Sequence, residues 1–211
     1  MVIKKNWTKP EMQAGCLILA SGSETRKRML ENAGVVFDTV PALIDEISLK
    51  ESLISSGTTA RNIADALADA KARSVSIINP DKLVLGADQT LVCGANIISK
   101  AQNTQSAKET LNLLSGRSHQ LHSAAVMYEN GQPIWRAVDT ATLHMRPLSG
   151  SFIDDYLQAI GSDAFWSVGA YQIEGLGAQL FDKIEGNHFT ILGLPLINVL
   201  VFLRQYGMLG Q

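Results

Sequence analysis

Short apolar runs broken by glycine and serine recur along the chain and predict strands alternating with helices. Residues 16–20 are continuously apolar or small, as a buried strand requires. The run stops at Ser21-Gly22-Ser23. A helical pattern follows to Asn32, with Ser23 as N-cap and Gly34 as C-terminal cap. Residues 35–41 read as a second strand. Thr58 or Thr59 caps a helix over 60–76, on which Ile63, Leu67, Ala70 and Val75 approximate one face. Leu83, Val84 and Leu85 form another buried run, and residues 90–93 and 97–100 read as a strand pair around Gly94-Ala95. A helix over 106–114 stops at Gly116. Residues 120–128 and 134–143 then pair through Asn130-Gly131, a strong hairpin signal. Ser149 or Ser151 caps a helix over 152–160, which precedes a glycine-rich section at 169–177 and a strand at 179–184. Pro195 opens a last helix that stops at Gly207. The whole reads as one α/β domain over 15–211 behind a tail at 1–14.

Composition narrows this picture. With 211 residues, 46% hydrophobic and 18% charged, the chain is suited to a folded globular protein with a substantial core. A formal net charge of −2 gives no global reason to bind a nucleic-acid polymer or an anionic membrane, so an anionic ligand requires a local cluster of positive charge. The tail holds Lys4, Lys5, Lys9 and Pro10 without the apolar core of a signal peptide. The most apolar window, residues 191–203, is too short to span a bilayer and contains Pro195 and Asn198. Cys16 and Cys93 both fall in expected strands, far from metal-ligand spacing. They read as buried free thiols in a reducing cytosol, which makes the expected location cytoplasmic.

The candidate chemistry begins at the first loop. A strand, a serine–glycine loop and a helix make a ready anion site, because the amides and the helix dipole point at the loop. Arg26, Lys27 and Arg28 then follow in the first turn, where positive charge is unfavourable. Something negative from outside the chain, such as a phosphate, would compensate; for Lys27 exposure to water explains its place as well. Asp88 stands at the end of the run from Leu83, after Gly86-Ala87, which let a ligand or a backbone come close. If Cys93 faces Asn96, the register puts Lys100 opposite Gln89 and within reach of Asp88, as a catalytic pair or an ordinary surface ion pair. Asp45-Glu46 is either a solvated loop or part of a cation site beside phosphates. Lys71 sits late in its helix, where the dipole alone explains it. His119 and His122 are three apart on a strand, so they do not form a metal pair.

The segment Leu17-Ile18-Leu19-Ala20-Ser21-Gly22-Ser23, then Arg26 and Met29-Leu30, resembles the opening of the Maf family of nucleotide pyrophosphatases, the septum-formation-inhibitor-like proteins. Later blocks agree in order: Ile44-Asp45-Glu46, Ala70-Lys71-Ala72, Gly86-Ala87-Asp88, Ser99-Lys100, Leu114-Ser115-Gly116-Arg117, Gly169-Ala170-Tyr171, Glu174-Gly175 and Gly193-Leu194-Pro195-Leu196. The resemblance covers about residues 16–207.

It implies a Maf/ITPase-like elongated mixed sheet with flanking helices and two lobes around a central cleft. It also implies cleavage of nucleoside triphosphates between the α and β phosphates with a divalent metal, Mg²⁺ or Mn²⁺. By the resemblance, Asp88 is the proton acceptor, with Lys100 and Lys71 as catalytic companions. Ser21, Gly22, Ser23, Arg26, Gln89 and Glu174 are substrate-binding, and Glu46 and Asp88 hold the metal. A homodimer is compatible with it. The chain departs from the family at Thr25, where a second arginine is usual, and at Ser167, where a lysine is common. Gln89 and Glu174 match the branch associated with 7-methyl-GTP rather than the one preferring dTTP and UTP. A non-catalytic nucleotide-binding regulator of cell division and a phosphohydrolase releasing orthophosphate are the alternatives.

Overall fold

The computed structural model describes residues 16–210, so the tail expected at 1–14 lies outside the described residues. The strands are β1 (Leu17–Ala20), β2 (Asp38–Thr39), β3 (Leu83–Cys93), β4 (Asn96–Ile98), β5 (Ser118–Glu129), β6 (Gln132–Met145) and β7 (Phe181–Glu185). They form one mixed sheet in the order β2-β1-β3-β5-β6-β7, with β4 paired to β3 off this path. The helices are α1 (Glu24–Asn32), α2 (Glu46–Ser55), α3 (Ala60–Ile78), α4 (Thr104–Leu114), α5 (Gly150–Ile160), α6 (His188–Ile191) and α7 (Leu196–Gln205). This is the α/β class that the alternation of patterns predicts. The described chain forms two compact units, one of residues 16–89, 123–139 and 192–210, the other of Thr90–His122 and Thr140–Ile191.

In the first unit β1 is buried throughout and runs parallel to β3, with Ala20 beside Gly86. Ala64, Ala68 and Ala72 recur every four residues along α3 and pack with Ile18, Val84 and Val126. Small side chains let the helix lie close to the sheet, and Gly86 completes the approach. A Cβ at Gly86 would stand 2.2 Å from the Ala68 carbonyl oxygen and 2.6 Å from the Ala72 nitrogen. The close approach read from Gly86-Ala87 is therefore made by a helix backbone. It does not interrupt the strand: β3 runs unbroken from Leu83 to Cys93, where the sequence suggests two strands. The strand expected at 35–41 shrinks to Asp38–Thr39, both exposed. An unexpected helix, α2, follows; it buries no residue fully, so no apolar periodicity announces it. Asn130 and Gly131 both take positive φ, 50° and 72°, as the turn joining β5 to β6 requires.

The second unit has its own core, in which Leu91, Leu111, Leu114, Leu121, Leu143 and Ile153 are all buried. Asn103 caps α4 with Ser106 in a reciprocal capping box, and Ser149 caps α5. Cys93 does face Asn96, but the ladder ends at Leu91 and Ile98, so Lys100 lies beyond β4. Gly169-Ala170-Tyr171 is a tight turn: a Cβ at Gly169 would come within 2.2 Å of the Tyr171 ring. Ser167 ties this turn, its hydroxyl accepting from the Tyr171 amide at 3.0 Å and donating to the Tyr171 carbonyl at 2.7 Å. Here the residue that departs from the family's usual lysine serves as a local staple.

His119 is buried in this core and shares a 2.7 Å hydrogen bond with the Tyr171 hydroxyl, while its Nδ1 has no partner among the described residues. Burial, with a smaller contribution from the nearby His144, pushes its pKa down to about 4. The unfolded chain then binds more protons than the folded one between about pH 4 and the ordinary histidine value. Stability from His119 is therefore complete above about pH 6.5 and is lost as pH falls through that window. Urea unfolding at pH 7 and pH 5 should show wild type losing about 2 kcal/mol more than His119→Leu. Equal losses in the two proteins would show that His119 is not held neutral.

Candidate active site

The carboxyl end of β1 leads directly into the serine–glycine loop. Ser23 caps α1, its hydroxyl accepting from the Arg26 amide at 3.4 Å. The Ser21 hydroxyl oxygen accepts from the Ser23 amide at 3.3 Å and from Arg26 Nη1 at 3.1 Å. Arg26 Nε donates to the Gly193 carbonyl at 2.7 Å, so the guanidinium is clamped between the loop and the segment before α7. Ser21 and Arg26 are both buried. Gly193 has φ of 102°, and a Cβ there would lie 3.5 Å from Arg26 Nη2. Gly22 opens onto space, with nothing within 4 Å of where a Cβ would stand.

Burial lowers the Arg26 pKa, and the charges of Asp88 and then Glu46 oppose that shift; arginine remains a cation regardless. The compensation for Arg26 at a helix N-terminus therefore lies partly inside the chain. Among the described residues, Lys27 lies 4.0 Å from the exposed Glu24, and its own side chain is partly exposed.

The second half of the site forms around Lys71. Its ammonium donates to Asp88 Oδ1 at 2.7 Å and lies 2.6 Å from Glu46 Oε2. The Lys71 and Asp88 side chains are 8% and 12% exposed, while Glu46 is 48% exposed and reaches inward from the start of α2. This arrangement follows from the packing of α3: Lys71 stands between Ala68 and Ala72, the two residues pressed on Gly86, and Asp88 is two residues further along β3. Lys71 is thus no dipole complement on a helix surface but a buried bridge between two acids. The paired acids separate in role. Asp45 caps α2, bonding Ser48 through its amide and hydroxyl at 3.0 and 2.8 Å, which holds the Asp45 carboxyl below its usual range. Glu46 turns to Lys71.

Gln89 Nε2 donates to the buried Ser123 hydroxyl at 3.0 Å, which orients the amide beside Asp88. The first unit therefore brings together Ser21, Ser23, Arg26, Glu46, Lys71, Asp88 and Gln89. Lys100 and Glu174 belong to the second unit, and both are exposed there. Sequence reasoning missed Gly193 and Ser123, which orient Arg26 and Gln89. Their only signal is proximity that the fold creates.

His119 bonds the Tyr171 hydroxyl and His122 the Thr140 hydroxyl. Among the described residues no group of three or more His, Cys, Asp or Glu side chains could hold a metal. Glu46 and Asp88, joined through Lys71, nevertheless offer two hard carboxylates. Magnesium commonly binds through one or two carboxylates plus substrate phosphates and water, so this donor set fits.

The fold and the site define an α/β protein equipped for phosphate chemistry, with an amide-lined helix start, a buried arginine and a lysine-bridged acid pair. A family model described as Maf-like protein matches residues 16–206. A nucleoside triphosphate pyrophosphatase 1 from Jannaschia sp. (strain CCS1) is 48% identical over 92% of this chain and 98% of its own. Proteins named 7-methyl-GTP pyrophosphatase are 48% identical in Rhizobium meliloti and 50% in Mesorhizobium japonicum, each over 90% of this chain and 96% of theirs. The chain belongs to the Maf-like protein family.

Proposed function

We propose that this protein hydrolyses nucleoside triphosphates between the α and β phosphates, releasing a monophosphate and pyrophosphate. The observation that carries the proposal is the meeting of Arg26 and Lys71 around Asp88, beside the capped start of α1. The names of its relatives support the same reaction.

Cleaving a phosphoanhydride needs a positioned water, a base for its proton, and positive charge on the leaving pyrophosphate. Asp88 accepts the proton on its carboxylate. Lys71 fixes that carboxylate, and Glu46 holds Lys71 from the other side. Arg26 and the loop amides, with Ser21 and Ser23, bind phosphate oxygens; for Lys100 the family resemblance alone supports a phosphate role. At about 4 Å and an effective dielectric near 20, each ion pair gives roughly 4 kcal/mol of Coulomb attraction before desolvation. A divalent cation, Mg²⁺ or Mn²⁺, would be held by Asp88 and Glu46 and would neutralise phosphate charge.

For the base, we propose a guanine edge, in particular 7-methyl-GTP. Glu174 is an acceptor-only carboxylate suited to N–H groups, and Gln89 adds an amide. Two free cysteines, Cys93 among them buried, suit a cytoplasmic setting, and no described helix is long and apolar enough to cross a membrane.

Purified protein with Mg²⁺ or Mn²⁺ should release pyrophosphate from a nucleotide panel, with 7-methyl-GTP and GTP turned over faster than dTTP and UTP. The reverse order sinks the base assignment alone. Nucleotide binding without product would make the protein a regulator, and orthophosphate release would make it another kind of phosphohydrolase.

A further inference from the structure

We propose that Tyr171, held through its hydroxyl by His119, is a positioning residue that aims Glu174 and so sets nucleotide preference without touching substrate. The inference rests on the reading of Glu174 as the base contact and adds what holds that residue in place.

Glu174 stands in an irregular stretch between the short 3-10 turns at Gly161–Phe165 and Leu176–Leu180. Alternate positions turn inward: Tyr171 is buried and Ile173 packs on the same core, while Gln172 and Glu174 are exposed. The Gly175 amide donates to the Gln172 carbonyl at 3.1 Å and closes a turn around Glu174. A Cβ at Gly177 would stand 2.5 Å from that carbonyl oxygen, so the segment is folded tightly on itself. Such a turn holds its own shape. Its direction depends on how it is attached to the core.

Burial of Ile173 fixes depth but not direction, because the hydrophobic effect is non-directional. Tyr171 supplies the direction. Its ring meets Phe181 edge-on at 4.9 Å between centroids and lies 5.7 Å from the His119 ring. Its amide and carbonyl are both tied to Ser167, and its hydroxyl meets His119 Nε2 at 2.7 Å. Phe181 opens β7 and His119 lies on β5, so one side chain pins the loop to two strands.

The hydrogen bond is kept at a cost. His119 is buried with Nδ1 unpartnered among the described residues, a penalty that an apolar residue there would avoid. A buried orphan in a folded protein calls for a compensating use, and the hydrogen bond that His119 makes is to Tyr171. Burial also holds the phenol protonated, well above its usual range, and the imidazole neutral, so the bond persists at neutral pH.

Tyr171→Phe deletes the hydroxyl and keeps the ring. Selectivity is read as the ratio of kcat/KM between the best and worst of 7-methyl-GTP, GTP, dTTP and UTP. Calorimetry reads it again as the ratio of affinities for the corresponding monophosphates. Both ratios should fall about fivefold, the scale of one hydrogen bond, through KM and with kcat changed less than twofold. Amide hydrogen exchange over residues 172–177 should quicken by a similar factor. Adding His119→Leu removes the stranded imidazole and should recover the thermal midpoint but not the ratios, because replacing both partners by apolar groups is nearly neutral for stability. In a Glu174→Gln background, Tyr171→Phe should change the ratios less than twofold. Unchanged ratios or unchanged exchange in Tyr171→Phe overturn the proposal, as does a wild type without preference. Ratios that recover with the midpoint overturn it too, and so does an effect that survives in the Glu174→Gln background. Wild type that binds selectively but releases no pyrophosphate would defeat the reaction proposed above, and a preference for pyrimidines would defeat the guanine assignment. In both cases the affinity ratios still decide the role of Tyr171.

Discussion

Asp88→Asn is expected to lower kcat by about 10³-fold, within the range that a positioned general base contributes, and to leave triphosphate binding close to wild type. Asparagine has the same shape and keeps an acceptor oxygen for the Lys71 ammonium, which Asp88 meets at 2.7 Å. It cannot take a proton from water at neutral pH. The variant should therefore be folded, should bind nucleotide, and should fail only in turnover. Steady-state pyrophosphate release, beside nucleotide affinity by calorimetry, separates these effects. Turnover within tenfold of wild type would remove Asp88 from the role of base.

Deleting the Lys71 charge is the next largest effect. Lys71→Met keeps the stem between Ala68 and Ala72 but leaves Asp88 and Glu46 facing each other without a cation. Breaking a buried ion pair in this way costs about 3–5 kcal/mol, and the lower end applies because Glu46 is 48% exposed and can turn to water. Asp88, at 12%, cannot. Urea unfolding should show a loss of about 3 kcal/mol, and kcat/KM should fall by about 10²-fold. Millimolar Mg²⁺ should raise the unfolding midpoint of this variant more than that of wild type, because the two carboxylates are left to the metal. A variant as stable as wild type, with no response to the ion, would show that the acid pair does not depend on Lys71.

What could be read from the chain was whatever is decided locally. The strand at Leu17–Ala20, the Ser23 cap of α1 and the Asn130-Gly131 turn depend on a few neighbouring residues and stand where the sequence puts them, and of the two serines offered as the cap of α5 the fold uses Ser149. What escaped depends on distant partners. Gly86 resembles a strand break until α3 lies against it. Arg26 breaks the helix-dipole rule until the carbonyl of Gly193, 167 residues away, is seen to hold it. Lys71 has a sufficient local explanation, and only the fold brings Asp88 and Glu46 to its ammonium. α2 leaves almost no trace, since a helix that buries no residue fully carries no clear apolar period. The roles assigned to Glu174 and Lys100 come from family resemblance, and each residue is exposed in the second unit.

The leaving group is the most direct witness of the chemistry. If cations gathered near the α1 loop receive the departing phosphates while Asp88 aims water at the α-phosphorus, hydrolysis in heavy-oxygen water must label one product only. Phosphorus NMR of a completed reaction should show the heavy isotope in the nucleoside monophosphate, beside unlabelled pyrophosphate. A nucleoside diphosphate with labelled orthophosphate, or label in the pyrophosphate, would contradict the account.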